Sequence, residues 1–600
     1  MRAANPSHAL ALVVVDELAR GGTTDAVLAP GSRSTALAMA LHDDERIRLH
    51  VEIDERSAAF LAVGLARGSG RPAVVVTTSG SAVANLHPGV VEADTGRVPL
   101  VVLSADRPPE LRHTGANQTI DQLKLFGDAV RHFVEVGVPT DRDGEVAYWR
   151  STVCRLLAEA RGLSGPPGPV HANLAFREPT VPLADDGRAP AAFFAGDLDG
   201  RPGGAPWSAV RRPARRLDPT ALDDLAARVG SVERGLVVVG QTGADPDPVL
   251  RLAETLGWPV VAEPPSNARR GPAAVDCAHH LLAHPGFATA HVPDLVLRVG
   301  RTGISPAVAR RLGPDVPQLL LDPDGSWDDP DRAVAEILVA DVADTCTRLA
   351  DALAGSGPPD GDNRSGGPGG ADDDRTGWRA SWRHAEQAAR AAIDGLLDSR
   401  DEPTEPRTAR DVAASVPAGG TLVAASSMPI RDLDRYAAPR GGLRVVANRG
   451  ASGIDGFVST ALGVALAGDG TTVALAGDLS LLHDANGLLL SPDADRLDVT
   501  FVVVDNDGGG IFHFLPQARF TDSFERVFGT PHGRDLERFA AFHELGYRYV
   551  EAPGELPGAV ASAIGAGGLQ LVHVRTDRHA NVEVQRGLTA AVAAALDGLG

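Results

Sequence analysis

Two apolar runs each end in a polar, glycine-rich loop: Thr472-Val-Ala-Leu-Ala-Gly-Asp-Leu-Ser480 and Val499-Thr-Phe-Val-Val-Val-Asp-Asn-Asp-Gly-Gly-Gly510. Uninterrupted apolar runs of this length are typical of buried parallel strands. In open α/β sheets, ligands bind beyond the carboxyl ends of the strands, which is where both loops fall. The two runs therefore predict a parallel α/β sheet with a binding site at its edge.

The residues of these loops predict the kind of ligand. Asp478 and Asn506 supply hard oxygen ligands, and Mg²⁺ held by so few protein groups usually completes its shell with phosphate oxygens. The glycines at 508–510 allow backbone amides to approach phosphates without obstruction by a Cβ atom. Together the loops predict a diphosphate–Mg²⁺ site.

Length and composition limit the other possibilities. Six hundred residues predict about three or four domains, and 43% hydrophobic with 22% charged residues are typical of globular proteins. The net charge of −21 disfavours nucleic acid as a partner. With no long apolar run and no signal-peptide pattern, we expect a cytoplasmic protein without a membrane partner. The three scattered cysteines disfavour a disulfide framework.

Strand and helix patterns alternate in three blocks, which predicts three doubly wound α/β domains with mostly parallel sheets. We place a first domain at residues 1–185, a middle domain at 207–354 and a last domain at 400–590. A Gly-, Pro- and Asp-rich passage predicts a flexible linker at 355–377. In the first two blocks, strands are expected at 25–29, 73–77, 100–103, 235–240, 295–300 and 318–322.

An acidic residue in the first block is a candidate for acid–base chemistry. Glu55 begins an Ala-rich helix directly after the strand-like run 49–53, which places it at the edge of the first sheet. A single Glu at a helix start is more often a surface acid that the helix dipole favours. In an apolar pocket, however, burial raises the pKa of a carboxyl group and suits it to proton transfer.

Several segments in the same order carry a resemblance to a known family. The pair Gly477-Asp478 and Asn506 resembles the diphosphate motif of thiamine diphosphate (ThDP) enzymes. Over its whole length the chain resembles the 2-succinyl-5-enolpyruvyl-6-hydroxy-3-cyclohexene-1-carboxylate (SEPHCHC) synthase, or MenD, family. The matching segments are Pro30-Gly-Ser-Arg-Ser34, Asp54-Glu-Arg56, Ser104-Ala-Asp-Arg-Pro108, Ala116-Asn-Gln118, Ser427-Met-Pro-Ile-Arg431, Asn448-Arg-Gly-Ala-Ser-Gly-Ile-Asp-Gly456 and Gly508-Gly-Gly-Ile-Phe512.

The resemblance implies a reaction and an assembly. The family decarboxylates 2-oxoglutarate on ThDP and adds the four-carbon unit to isochorismate in menaquinone biosynthesis, so the implied cofactors are ThDP and Mg²⁺, with Mn²⁺ as a substitute. Glu55 is implied as the acid at the pyrimidine N1′. Related enzymes share active sites between subunits, which implies a homodimer or homotetramer.

The resemblance also assigns the remaining site residues. Metal ligands are implied at Asp478, Asn506 and the carbonyl of Gly508. Isochorismate contacts are implied at Ser32, Arg33, Arg107, Asn117 and Gln118, and contacts to the 2-oxoglutarate carboxylates at Arg431 and Arg449. Further cofactor contacts are implied at Ser427, Met428, Ile454, Leu479, Ser480, Gly509, Gly510 and Ile511, and Phe512 is implied as a wall of the substrate cavity. Taken singly, each of these arginines is more often a surface ion pair, and Ile454 a core residue.

One metal ligand remains open, because many family members carry Asn-Asn where this chain has Asp505-Asn506. Either residue could supply the ligand, and the Gly-Gly-x-Ile-Phe sequence that follows favours Asn506. A calcium loop starting at Asp505 is excluded, since its twelfth position is Pro516 where a bidentate Glu is required.

Other functions remain as alternatives. A different ThDP carboligase such as acetolactate synthase is disfavoured by the set of arginines, and a ThDP sensor without catalysis is disfavoured by the presence of Glu55. A plain nucleotide-binding scaffold is weakened by the absence of a Walker or dinucleotide loop. A zinc site is disfavoured because no further ligand follows at a motif spacing; its candidate ligands are Cys277, His279, His280 and His284. Arg97 and Arg301 fit an anion-binding regulatory site or, equally well, surface ion pairs.

Overall fold

The computed structural model describes residues 3–181, 198–355, 371–491 and 497–599. Three six-stranded parallel sheets carry the fold, with helices between the strands. This architecture confirms the α/β class that the sequence predicts. The predicted domain limits stay predictions, and parts of them (182–185 and 356–370) lie outside the described residues. A helix begins at Ala371, inside the predicted linker. None of the described helices is both long and apolar enough to cross a membrane.

The first sheet has the strand order β2-β1-β3-β4-β6-β5. Its strands are β1 (Asp25–Leu28), β2 (Arg48–Val51), β3 (Ala73–Thr77), β4 (Leu100–Asp106), β5 (His132–Gly137) and β6 (Pro169–Ala175). Its helices are α1 (Pro6–Arg20), α2 (Thr35–His42), α3 (Glu55–Ser69), α4 (Ser81–Asn85), α5 (His87–Thr95) and α6 (Glu145–Ala160). The strands expected at 25–29, 73–77 and 100–103 are confirmed to within three residues at their ends.

The middle sheet has the order β12-β11-β10-β7-β8-β9. Its strands are β7 (Gly235–Val239), β8 (Val260–Ala262), β9 (Ala274–Val275), β10 (Leu295–Val299), β11 (Gln318–Leu321) and β12 (Val334–Leu338). Its helices are α7 (Pro219–Gly230), α8 (Asp247–Leu256), α9 (Ala278–Ala283), α10 (Pro285–Ala290), α11 (Pro306–Arg311) and α12 (Val342–Gly355). Read from the other edge, this is the strand order of dinucleotide-binding folds. Gly240 follows the central strand β7, and a Cβ atom there would lie 2.0 Å from the Arg301 carbonyl oxygen. The backbone of Arg301 therefore fills the space beside this loop.

The third sheet has the order β14-β13-β15-β16-β18-β17, which repeats the order of the first sheet. Its strands are β13 (Gly420–Ala424), β14 (Leu443–Ala447), β15 (Thr472–Gly477), β16 (Val499–Asp505), β17 (Gly546–Val550) and β18 (Leu569–Arg575). The helices in this part of the sequence are α13 (Ala371–Asp398), α14 (Glu405–Ser415), α15 (Met428–Tyr436), α16 (Phe457–Leu466), α17 (Asp478–His483), α18 (Thr521–Phe524), α19 (Leu536–Phe542), α20 (Leu556–Ala566) and α21 (Arg578–Asp597). The two apolar runs are the adjacent strands β15 and β16, as predicted.

The chain divides into two compact units. The first contains residues 1–212, 448–472 and 479–499, and the second contains 213–447, 473–478 and 500–600. The first unit therefore combines the first sheet with helix α16 from the C-terminal part of the sequence. In the second unit, α13 and α21 cover the middle sheet with a shared apolar cluster that includes Trp382 and Leu588.

Helices α3 and α16 of the first unit approach each other until their backbones touch. A Cβ atom at Gly64 would lie 2.3 Å from the Thr460 carbonyl oxygen, and one at Gly463 would lie 2.2 Å from the Leu61 carbonyl oxygen. Neither backbone can retreat without opening the apolar contact between the helices. Glycine is therefore required at both crossing positions.

We expect Gly64→Ala to destabilise the protein by about 1–3 kcal/mol, since the added methyl group overpacks this crossing. Gly395→Ala is the matched control, because Gly395 is an exposed helix residue at which an added Cβ would have nothing within 4 Å. Calorimetry should show a lower melting temperature for Gly64→Ala only. Equal melting temperatures for both variants would show that the helices can separate at no cost.

Candidate functional site

The carboxyl ends of β15 and β16 bring the predicted metal ligands together in the second unit. Asp478 is 2% exposed, and its Oδ2 accepts a hydrogen bond of 2.8 Å from the Gly508 amide. Gly508 has a φ of +141°, and a Cβ there would lie 2.0 Å from the Gly529 carbonyl oxygen. Only glycine fits this turn, which folds the loop after β16 back onto Asp478.

The side-chain oxygen of Asn506 accepts no hydrogen bond from any described residue. Its Nδ2 donates to Glu405 Oε1 at 2.7 Å, whereas its Oδ1 is buried and without a hydrogen-bond partner. Asp505 differs, because its Oδ2 lies 2.9 Å from His573 Nε2 and its Oδ1 accepts from the Asp507 amide. A buried orphan oxygen beside a carboxylate suits a cation. Of the two neighbours, the geometry favours Asn506.

Two residues of this site have no recognisable signal in the sequence. His532 Nε2 lies 3.1 Å from Asp478 Oδ2, and this hydrogen bond raises the pKa of His532. Glu405 is fully buried at the start of α14, and burial raises its pKa. Both reach the site from elements far along the chain, so only the folded structure reveals them. Asp478, Asp505 and His532 also form a group that could hold a metal ion.

The glycine amides differ from the role that the resemblance implies. The Gly509 amide donates to the Gly529 carbonyl oxygen at 2.7 Å, and the Gly510 amide donates to Gly508 at 3.0 Å. A phosphate could reach these amides only if those bonds opened. Among the other implied cofactor contacts, Met428 and Ser480 are buried, and Ser427, Ile454, Leu479 and Ile511 are half-buried.

Two arginines meet in the first unit, beyond the carboxyl ends of β1 and β4. Arg33 is 8% exposed and donates to the Phe176 carbonyl oxygen at 3.0 Å, with Glu178 Oε1 also 3.0 Å away. Arg107 is 7% exposed, and burial and the nearby charge of Arg33 lower its pKa. Two guanidinium groups held this close make a site for an anion.

The loop around Gln118 completes this cationic site. Arg107 Nη1 donates to the Gln118 carbonyl oxygen at 2.8 Å and to the Ser79 hydroxyl, and Gln118 Nε2 donates to the Ser79 carbonyl at 3.0 Å. The side chains of Ser32, Asn117 and Gln118 are exposed at its rim. Ser79, which sequence reasoning missed, links the β3 loop to the site.

The other two implied arginines lie on separate segments. Arg431 is half-buried in α15 and donates to the Ser427 carbonyl oxygen. Ser427 has a φ of +74°, a strained value for a non-glycine residue. Arg449 lies before a loop that the buried Glu92 holds through the Gly450 and Ala451 amides, both at 2.8 Å. Glu92 is a further residue that the sequence did not indicate.

Glu55 begins α3 as predicted. Asp54 caps the helix by accepting from the Arg56 amide at 2.8 Å. Glu55 is half-buried, and its carboxylate makes no hydrogen bond with any other described residue. Three residues earlier, Glu52 is 2% exposed and its Oε2 has no hydrogen-bond partner in the described chain. Burial, together with Asp484 and Asp54, raises the pKa of Glu52 to about 8.

The alternative zinc ligands have other partners. His279 Nδ1 lies 2.9 Å from Ser305 Oγ, and His284 Nε2 lies 3.1 Å from Asp597. Within the described ranges, Cys277, His279, His280 and His284 do not form a group with metal-ligand spacing. Phe512, the implied cavity wall, is half-buried and packs near Phe528 with ring centroids 5.7 Å apart.

We expect the stability contribution of Glu52 to fall as the pH rises. Its unfolded carboxyl group titrates near 4.5 and its folded one near 8, so deprotonation favours unfolding between these values. The melting temperature of Glu52→Gln minus that of the unchanged protein should therefore grow from pH 5 to pH 8. Glu45→Gln, at an exposed position, is the control. A difference that does not change with pH would contradict the buried, protonated state.

Comparisons with known proteins agree with this geometry. Residues 9–125 match the N-terminal TPP binding domain of thiamine pyrophosphate enzymes, and residues 431–574 match the C-terminal TPP binding domain. The chain is 52% identical to the 2-succinyl-5-enolpyruvyl-6-hydroxy-3-cyclohexene-1-carboxylate synthase of Thermobifida fusca, over 99% of this chain and 100% of that protein. It is 44% identical to the synthase of Saccharopolyspora erythraea (99% and 100% covered) and 40% identical to that of Myxococcus xanthus (99% and 98% covered). The chain belongs to the SEPHCHC synthase family of thiamine pyrophosphate enzymes.

Proposed function

We propose that this protein is a SEPHCHC synthase: it decarboxylates 2-oxoglutarate and adds the four-carbon unit to isochorismate, releasing CO₂, in menaquinone biosynthesis. The observation that carries the proposal is the full-length similarity to relatives named for this activity. The structure supports it with an oxygen-rich site at Asp478 and Asn506 and with the paired guanidinium groups of Arg33 and Arg107. Both substrates are anions, which such a set of arginines would recognise.

We place the diphosphate end of ThDP at the edge of the third sheet. Asp478, Asn506 Oδ1 and the Gly508 carbonyl would hold Mg²⁺, or Mn²⁺ in its place. The Glu405 hydrogen bond supports this role, since it aims the Asn506 amide nitrogen away and leaves Oδ1 as the free atom. Contacts to the cofactor itself are proposed at Ser427, Met428, Ile454, Leu479, Ser480, Gly509, Gly510 and Ile511.

ThDP, when bound, supplies the electron sink for the carbanion that decarboxylation leaves. The acid–base work falls to Glu55, whose carboxyl group would hold a proton at the pyrimidine N1′. Its position supports this role, because the first turn of α3 leaves the carboxylate without a partner in the described chain and thus available to a ligand.

We assign the two anionic substrates to different arginines. Arg33 and Arg107 would bind the carboxylates of isochorismate, with Ser32, Asn117 and Gln118 at the rim. Their mutual repulsion supports an anionic ligand, because an anion between them would relieve it. Arg431 and Arg449 would bind the carboxylates of 2-oxoglutarate, with Phe512 as an apolar wall.

The direct test is the loss of isochorismate absorbance in the presence of 2-oxoglutarate, ThDP and Mg²⁺, with each component omitted in turn. Loss that requires all four components supports the proposal. Release of CO₂ from 2-oxoglutarate without loss of isochorismate would identify a ThDP decarboxylase with a different acceptor. In that case the roles of Arg33 and Arg107 would be wrong, while the cofactor site would remain.

The choice between Asp505 and Asn506 as metal ligand gives a sharp prediction. Asn506→Ala should weaken Mg²⁺-dependent binding of ThDP by more than about tenfold, because it removes the orphan oxygen. Asp505→Asn should leave this binding within a fewfold of normal, since Asp505 already bonds to His573 and Asp507. Calorimetric titration of ThDP at fixed Mg²⁺ measures both. The reverse order of effects would make Asp505 the ligand.

We also propose that the protein is a homodimer or homotetramer in which Glu55 of one subunit serves the Asp478 site of another. Glu55→Gln and Asp478→Ala should each be nearly inactive alone. Coexpressed, they should form mixed dimers with one intact site, recovering about a quarter of normal activity if subunits pair at random. The control pairs Glu55→Gln with the double variant, which cannot rebuild a site. Absence of recovery in isolated mixed dimers would place both residues of a site in one chain.

A further inference from the structure

Three potential metal ligands meet in the second unit outside the proposed Mg²⁺ site. They are His513, in the short helix after the glycine loop, Glu525, at the start of a π-helical turn, and His579, at the start of α21. Their ligand atoms all lie within 4.8 Å of one another. His579 Nε2 is 3.5 Å from Glu525 Oε1, and the two imidazole rings lie 4.6 Å apart between centroids.

Three buried polar atoms of this cluster lack a hydrogen-bond partner among the described residues. Both ring nitrogens of His513 and Oε1 of Glu525 are buried and make no well-formed hydrogen bond to a described residue, although the backbone of Gly510 lies near the His513 ring. A buried polar atom left unsatisfied is unfavourable, so a ring nitrogen of His513 beside Oε1 of Glu525 calls for a shared ligand. A metal ion satisfies a ring nitrogen and a carboxylate oxygen at the same time.

The charge around the cluster suits a cation bound through neutral imidazole. Arg578 donates to the other carboxylate oxygen of Glu525, Oε2, which leaves Oε1 directed at the histidines. Burial, with His579 and Arg578 nearby, lowers the pKa of His513, so its ring is neutral and keeps a lone pair. The Arg578 charge is neutralised by Glu525, and its Nη1 is occupied by the carbonyls of Asn506 and Asp507.

We propose that His513, Glu525 and His579 form a second metal site, which takes a divalent transition metal such as Zn²⁺ or Co²⁺. Two imidazoles and one carboxylate are a ligand set typical of these ions and unlike the all-oxygen set that Mg²⁺ prefers. Three protein ligands leave further positions open to water. The site shares no ligand with the Asp478 site.

Metal at this site would stiffen the loop beside the proposed diphosphate site. Glu525 would be fixed through Oε1 while its Oε2 holds Arg578, and Arg578 in turn holds the backbone at Asn506 and Asp507. A second link runs through the π-helical turn, because the Gly509 amide donates to the carbonyl of Gly529. The transition metal would therefore order the segment that carries Asn506 without touching it.

The test is a Co²⁺ titration of the tag-free, full-length protein after chelation, with Mg²⁺ in excess to fill the hard-oxygen site. Co²⁺ bound to nitrogen should give visible d–d absorption that saturates at one ion per chain, and Zn²⁺ should displace it. His513→Ala and His579→Gln should each weaken Co²⁺ binding by more than about tenfold. His579 is mostly exposed, so His579→Gln keeps the fold, which its circular dichroism and melting temperature would verify.

Two control variants separate this site from others. His42→Ala, at an exposed histidine, and Asn506→Ala, in the proposed Mg²⁺ site, should both retain Co²⁺ binding. The proposal is overturned if no saturable absorption appears. It is also overturned if His579→Gln binds Co²⁺ as tightly as His42→Ala. Loss of binding in Asn506→Ala alone would place the ion at the Mg²⁺ site instead.

Discussion

Parallel pairing of strands is the constraint on which this structure depends. A parallel ladder cannot be closed by a tight turn, so each strand must be followed by a crossover, here mostly a helix, before the next begins. The helices cover both faces of each sheet, and within each sheet the carboxyl ends of all strands lie at the same edge. Asp478 and Asn506 adjoin because β15 and β16 are neighbours, and Arg33 and Arg107 adjoin because β1 and β4 both flank β3. The same rule thus builds both groups of candidate site residues.

The first and third sheets have the same strand order, so they offer loops at equivalent positions. Each of these two sheets places its candidate site residues in loops beyond the carboxyl ends of its strands, yet the chemistry of the residues differs. The third sheet offers carboxylate and amide oxygens, whereas the first offers guanidinium groups and the Glu55 carboxylate. The middle sheet has the dinucleotide order, but the backbone of Arg301 packs against the loop where a pyrophosphate would sit. Topology therefore supplies positions for sites, and the loop residues decide whether a site exists.

The sequence predicts those features that depend on neighbouring residues. The strands β3, β15 and β16 are continuous apolar runs, and Asp478, Asn506 and Gly508 follow the last two directly, so pattern alone locates them. Residues that reach the site from distant segments leave no such trace. Glu405 orients Asn506 from about a hundred positions away, and His532 contacts Asp478 from a loop without regular pattern. Their roles arise from tertiary packing, which no local spacing encodes.

The buried positive charges of the first unit indicate what kind of ligand it binds, which the fold alone does not. Arg33 and Arg107 are both more than nine-tenths buried and raise each other's electrostatic energy. Glu178 lies 3.0 Å from Arg33 and its charge also acts on Arg107, but its side chain is 69% exposed, so solvent screens that charge. Arg107 donates to neutral oxygens of Ser79 and Gln118, and the buried carboxylate of Asp106 offsets part of its charge. Repulsion between the two guanidinium groups remains, and a bound anion would relieve it, so this part of the first unit favours an anionic ligand.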